Sequence, residues 1–184
     1  MLVLSSTRTN ITRWSSTVAA CRERSKANAE SRGCPMFAEI LRENAYGAYR
    51  VRLEALLYIP TDASDQDIHE LIEAGFSAGS VKALCDLGAI SSLERDQIIP
   101  LKALKTRLAR GQRLTVEESD RLFRVAHIMA MAQTLFGDDE KAKHWLSKSK
   151  DRFSGKSPIA MLSTTQGTRL IEELLIQIAE GFAF

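Results

Sequence analysis

Three histidines, His69, His127 and His144, are the side chains best suited to acid–base or metal chemistry, and their surroundings argue against both. None stands beside a cysteine or carboxylate at metal-ligand spacing, so no metal site is expected. His127 lies inside the apolar run "VAHIMAMAQTLF", where an imidazole reads as a core or interface group rather than a general base. Cys21, Cys34 and Cys85 are odd in number and lack metal-like pairing, which fits a reducing compartment without a disulfide framework. The chain contains no G-x-S-x-G, HExxH, phosphate-loop or dinucleotide fingerprint. Its acidic pairs, Asp138/Asp139 and Glu172/Glu173, fall at helix starts or on exposed faces, where solvation and the helix dipole account for them. The expectation is a protein that is not an enzyme, with no catalytic residue, no cofactor and no small-molecule substrate.

Two stretches do suggest binding. Between Asp96 and Glu117 there is no acid, while Lys102, Lys105, Arg107, Arg110 and Arg113 supply five positive charges. Leu101, Leu104 and Leu108 are expected to hold one side of this helix to the core and leave most of the cations outward. With the short helical stretch "SSLERDQII" before it, the run forms a helix-turn-helix-like arrangement whose phosphate contacts would give salt-dependent DNA affinity. A merely solvated basic face would leave the same pattern. The other stretch is the ending "AEGFAF", where Phe182 and Phe184 follow the helix-stopping Gly181. Chain ends are usually polar and frayed, so two rings there either cap the chain's own core or dock into a partner.

The 184 residues allow one good core or two small ones, and the hydrophobic fraction of 45% is ordinary for a globular protein. No apolar run approaches the roughly 20 residues of a membrane span, so no membrane association is expected. The formal charge of +2 hides an asymmetry. Residues 1–34 hold six of the 25 basic side chains and two of the 23 acids, which leaves 19 basic against 21 acidic residues in the remainder. DNA binding must therefore come from a local patch. Residues 1–35, rich in Ser, Thr and Arg and without an apolar period, superficially resemble a mitochondrial transit peptide; they are expected to be disordered or to precede a true start at Met36.

From Met36 the signals are helical. "MFAEILRENAYGAYRVRLEALLYI" predicts one interrupted or two short helices, with Gly47 the weak point and Pro60 the end. Ser64 or Asp65 caps the next helix and Gly75 closes it. "SAGSVKALCDLG" places Val81, Leu84 and Leu87 at helical spacing before Gly88. Pro100 opens the basic helix and Gly111 stops it. Thr115 and Glu118 form a capping box, Gly137 is the C-terminal stop, and the run "VAHIMAMAQTLF" between them is apolar on nearly every side, as for the middle of a core. A short helix capped by Asp138 or Asp139 follows, then a turn at Pro158. Ser163 and Gln166 predict a second capping box, opening a helix with the stripe Leu170, Ile171, Leu174, Leu175 and Ile178. The fold class is all-α.

In the second half an ordered set of motifs comes into view. "RLTVEESDRLFRVAHI" carries Leu114, Glu118, Ser119, Asp120, Arg121 and Arg124; "LFGD" and "KAKHWL" carry Phe136, Gly137, Ala142, Trp145 and Leu146. "GKSPIAMLST" then carries Gly155, Pro158 and Leu162, and "GTRLIEELL" carries Gly167. This order resembles the Xre/MbcA/ParS-type antitoxins of bacterial toxin–antitoxin pairs, closely over 111–184 and more loosely over 61–110. Two departures stand out: "SKSKDRFSG" replaces an asparagine-containing turn, with Phe153 in the apolar position, and "IPLKALKTRLARG" lacks a Ser/Thr-rich start.

The resemblance implies a helix-turn-helix-like DNA-binding region at 61–113, after a helical segment at 36–60, and a toxin-binding and dimerisation domain at 114–184. It implies a cognate RES-domain toxin that degrades NAD, repression of the chain's own operon at operator DNA, and a homodimer that joins a larger toxin–antitoxin complex in the bacterial cytoplasm. It also implies that the tail, Gly181, Phe182, Ala183 and Phe184, reaches into the toxin's active site. An NAD-binding cleft needs apolar walls and cations, which suit two rings and a carboxylate; burying one Phe is worth roughly 1.5–3 kcal/mol. The alternatives are a DNA-binding regulator without a toxin partner and a purely protein-binding helical module.

Overall fold

The computed structural model describes residues 43–181. The N-terminal extension 1–35, residues 36–42 of the first helical segment, and the tail residues Phe182, Ala183 and Phe184 lie outside the described residues. The chain forms α1 (Glu43–Leu57), α2 (Asp65–Ala74), α3 (Ala78–Asp86), α4 (Ser92–Ile98) and α5 (Leu101–Arg110). After these come the long α6 (Val116–Phe136), α7 (Asp139–Ser147), a 3-10 turn (Asp151–Phe153), α8 (Pro158–Met161) and α9 (Thr165–Ala179). No strand occurs among the described residues, only an isolated antiparallel bridge between Ser77 and Arg113. Among them no helix is long and apolar enough to cross a membrane.

Helix α6 organises the rest. The Thr115 hydroxyl accepts from the Glu118 amide (3.2 Å) and the Glu118 carboxylate from the Thr115 amide (2.8 Å), closing the expected box. Gly137, at φ 65°, ends the helix in the left-handed region that glycine enters without a Cβ clash. In between, Leu122, Ala126, Ile128, Met129, Ala130 and Ala132 are buried. The alanines let backbones approach closely, and α1, α2, α4, α7 and α9 all pack on this helix. Tyr49, Leu53 and Leu57 of α1 and Ile171 and Leu175 of α9 fill its sides, so elements before and after α6 share a single core.

The start of α6 is tied to the α2–α3 connection. Leu114 N–H donates to the Phe76 carbonyl (2.9 Å), and the buried Ser119 hydroxyl accepts from the Phe76 amide (2.9 Å). Gly75 turns at φ 78° there, and a Cβ on it would sit 2.4 Å from the Leu114 carbonyl oxygen. Arg50, buried in α1, donates to the carbonyls of Thr61 (3.0 Å), Pro60 (3.1 Å) and Ala63, which fixes the α1–α2 loop.

Four local expectations change. Helix α1 runs through Gly47 unbroken and stops at Leu57, before Pro60. A glycine costs a helix about 1 kcal/mol, which the buried Tyr49, Leu53 and Leu57 outweigh. The box at Ser163 and Gln166 does not form: Thr164 is the cap, accepting from the Gly167 amide (3.0 Å), and Ser163 instead donates to the Ala160 carbonyl (3.3 Å). Val81 and Leu84 are buried, whereas Leu87, beyond the last turn of α3, is exposed. In α5 only Leu104 is buried; Leu101 and Leu108 face solvent, because the helix packs mainly on the small α3.

Two glycines therefore have opposite roles. At Gly167 a Cβ would lie 2.0 Å from the Met161 carbonyl oxygen, whereas at Gly47 it would meet nothing within 4 Å. Urea denaturation should show Gly167→Ala destabilised by about 1–3 kcal/mol from overpacking and Gly47→Ala stabilised by about 0.5–1 kcal/mol.

Candidate functional site

Helix α5 stands on a two-residue link, Ile99–Pro100, after α4. Ser91 caps α4 with Glu94 in a reciprocal box, and Pro100 with Gly111 brackets α5. Of the five cations, most of which are expected to face outward, two are engaged within the fold. The Arg107 guanidinium reaches both Glu118 carboxylate oxygens (3.1 and 3.0 Å) and donates to the Arg113 carbonyl (3.0 Å). Arg113 donates to the carbonyls of Ala74 (3.1 Å) and Gly75 (2.9 Å). Lys102, Lys105 and Arg110 are exposed. An open groove of about 510 Å³ runs beside Pro100, Lys102, Ala103, Thr106, Arg107 and Gln112. The first turn of α5 holds no acid, so its amide dipole and cations offer one sign of charge.

His127 is half-buried on α6 and stapled on both sides. Its Nδ1 shares a hydrogen bond with the Tyr49 hydroxyl (2.6 Å), and its Nε2 lies 3.2 Å from the Glu172 carboxylate. Phe123 stacks on the imidazole at 5.8 Å and the Tyr49 ring meets it edge-on at 5.5 Å. Glu172 was expected on an exposed face; the α6–α9 packing instead turns it inward to this hydrogen bond. Burial pushes the Tyr49 phenol far above its usual range, so it stays protonated. The hydrogen bond from His127 holds the Glu172 carboxyl below its ordinary 4.5, against the opposing effect of burial. The trio joins α1, α6 and α9 and is a staple. Among the described residues no group of His, Cys, Asp or Glu is placed to hold a metal ion.

The remaining motif residues build the second half. Asp120 pairs with Arg124 (3.1 Å), and Arg121 lies 3.8 Å from Glu117. Trp145 of α7 packs on Phe136 at 5.6 Å. Phe153 is buried in the 3-10 turn, filling the apolar position of the variant loop, and Gly155 at φ 78° closes that loop on the Lys150 carbonyl (3.1 Å). Pro158 opens α8, Leu162 is buried after it, and Gly167 provides the close α8–α9 approach. Gly181, exposed and at φ 84°, follows α9.

Comparison with known proteins agrees with this architecture. Residues 131–181 match the antitoxin Xre/MbcA/ParS C-terminal toxin-binding domain. The chain is thus a non-enzymatic antitoxin, with a toxin as its partner. It is 57% identical over 156 residues to the antitoxin Xre of Pseudomonas putida strain KT2440, covering 85% of this chain and 98% of that one. It is 31% identical over 113 residues to the antitoxin Xre of Yersinia enterocolitica, 60% of this chain and 76% of that one. The chain belongs to the Xre antitoxin family.

The Glu172 staple has a pH signature. A carboxyl whose pKa is lowered by folding stabilises the fold above its unfolded value and loses that contribution as pH falls through the folded value. The melting temperature of wild type should exceed that of Glu172→Gln above pH 4.5, and the gap should shrink progressively below it.

Proposed function

We propose that this antitoxin neutralises a cognate RES-domain, NAD-degrading toxin by inserting its C-terminal tail into the toxin's active site. It also represses its own operon through the α4–α5 helix-turn-helix-like region. The observation that carries the first part is the toxin-binding match ending at Gly181, directly before Phe182, Ala183 and Phe184. Ala179, Glu180 and Gly181 are exposed, so the chain leaves α9 at the surface. The rings of Phe182 and Phe184 complement a cleft built for a nucleotide's base.

Support for the second part is the two-residue link that presents α5 and the exposure of Lys102, Lys105 and Arg110. Arg107 and Arg113 then act chiefly as braces, between α5 and α6 and between the α6 entrance and α2. Residues 61–113 and 114–184 are functional regions on a shared core, with 36–60 contributing α1. In this reading the protein works in the bacterial cytoplasm as a homodimer within a larger toxin–antitoxin complex.

Removing Phe182–Phe184 should abolish growth rescue when the chain is co-expressed with a cognate RES-type toxin, with an unchanged melting temperature; full protection by the truncated protein would sink the tail mechanism. Separately, Lys102→Ala/Lys105→Ala/Arg110→Ala should weaken electrophoretic shift of the upstream promoter and flatten its log K against log salt slope by about 0.9 per lost contact. Neutralisation should persist in that variant.

A further inference from the structure

The toxin-binding half carries a groove that no role described above uses. Phe136, Lys141, His144, Trp145, Lys148 and Lys150 line it, with Glu140, and its volume is about 510 Å³. Trp145 is half-buried against Phe136, and the Lys150 ammonium sits 5.0 Å from the centre of the indole. Glu140, the one acid among the lining residues, is held by Lys143 at 3.0 Å. Lys141, Lys148 and Lys150 have no ion pair among the described residues. Partial burial and the nearby Lys148 both lower the Lys150 pKa, as expected for cations crowded without a counter-ion.

We propose that this groove is a docking surface for an acidic segment of the toxin that also carries an aromatic or aliphatic side chain. The inference rests on the toxin-binding reading above and adds a second contact beside the tail. Three observations favour this occupant. All the lining residues fall within the 131–181 match to the toxin-binding domain. The groove combines an aromatic floor with unpaired lysines, so it rewards an apolar side chain flanked by carboxylates; a duplex offers phosphates but little apolar surface to fill it. The Arg152 guanidinium donates to Gln177 of α9 at 3.2 Å, two residues from the groove-lining Lys150. Arg152 thereby ties the chain just beyond the groove to the helix that precedes the tail.

The test is titration of the full-length chain with a purified cognate RES-type toxin, at low and high salt. A Lys141→Glu/Lys148→Glu/Lys150→Glu variant with a native melting curve should bind about 10-fold or more weakly, chiefly through a slower association, and lose most of the salt dependence. The corresponding triple arginine variant should bind as wild type does. If the glutamate variant is unstable, the triple glutamine variant is read the same way, with a smaller expected loss. Wild-type affinity for the toxin in the charge-reversed protein would overturn the proposal. So would weakened operator binding with toxin affinity intact, which would make the groove a nucleic-acid surface. If the wild-type chain itself fails to bind the toxin, the proposed function falls first; wild-type binding that the charge-reversed variant retains in full overturns only the groove.

Discussion

A helix whose C-terminal two-thirds is apolar on nearly every side must be covered by several neighbours, and this one demand shapes the molecule. Helix α6 cannot bury Leu122, Ala126, Ile128, Met129 and Ala132 against a single neighbour, so segments from both ends of the chain converge on it. Each fully buried aliphatic side chain contributes roughly 1.5–3 kcal/mol, far more than any cap or surface pair. The consequence for function is mechanical. The basic α5 is braced to the first turn of α6 through Arg107 and Glu118, while α7 and α9 pack on the same helix. The basic helix and the toxin-binding half are thus built on one shared core rather than joined by a linker.

The polar exceptions in that core show what burial demands. An imidazole on α6 loses its water on packing, and an unpaired polar group there costs free energy. Tyr49 and Glu172 supply the two partners from different helices, so the penalty becomes a constraint on how α1 and α9 sit. Ser119 does the same at the other end of α6 by accepting the Phe76 amide of a loop some forty residues earlier. A Tyr–His–Glu arrangement invites a catalytic interpretation, but here both imidazole nitrogens are engaged by protein groups. Its chemistry is consumed in positioning.

What could be read in advance was local. Helix ends at Ser64, Gly75, Gly111, Thr115, Gly137 and Asp138 follow from side chains a few residues apart, and all six appear where the capping residues put them. The central place of α6 was equally legible, because all-round apolarity has one stable solution. Partnerships across long separations were not legible. Nothing in the run from 97 to 116 says that Arg107 meets Glu118, or that Arg113 reaches the carbonyls of the α2–α3 turn, and Glu172 looked solvated until α9 was packed on α6. Ser163 and Thr164 are adjacent hydroxyls competing for one cap; the close approach of Gly167 to Met161 settles which is in register.

The arginine and lysine positions divide along the same line. Arg50 donates to three carbonyls, Arg113 to two, and Arg107 to a carbonyl and a carboxylate, while Arg124 pairs with Asp120. A planar guanidinium with five donors can satisfy several acceptors at once without full hydration, which suits it to bracing loops and helix ends. A lysine ammonium is a strongly hydrated point charge on a flexible stem and resists such use. Lys102, Lys105, Lys141, Lys148 and Lys150 accordingly have no ion pair among the described residues. Counting all cations in a stretch therefore overstates a binding surface. The cations left to act on a partner are those the fold has no geometric use for, and among the described residues most of them gather on α5 and beside the α7 groove.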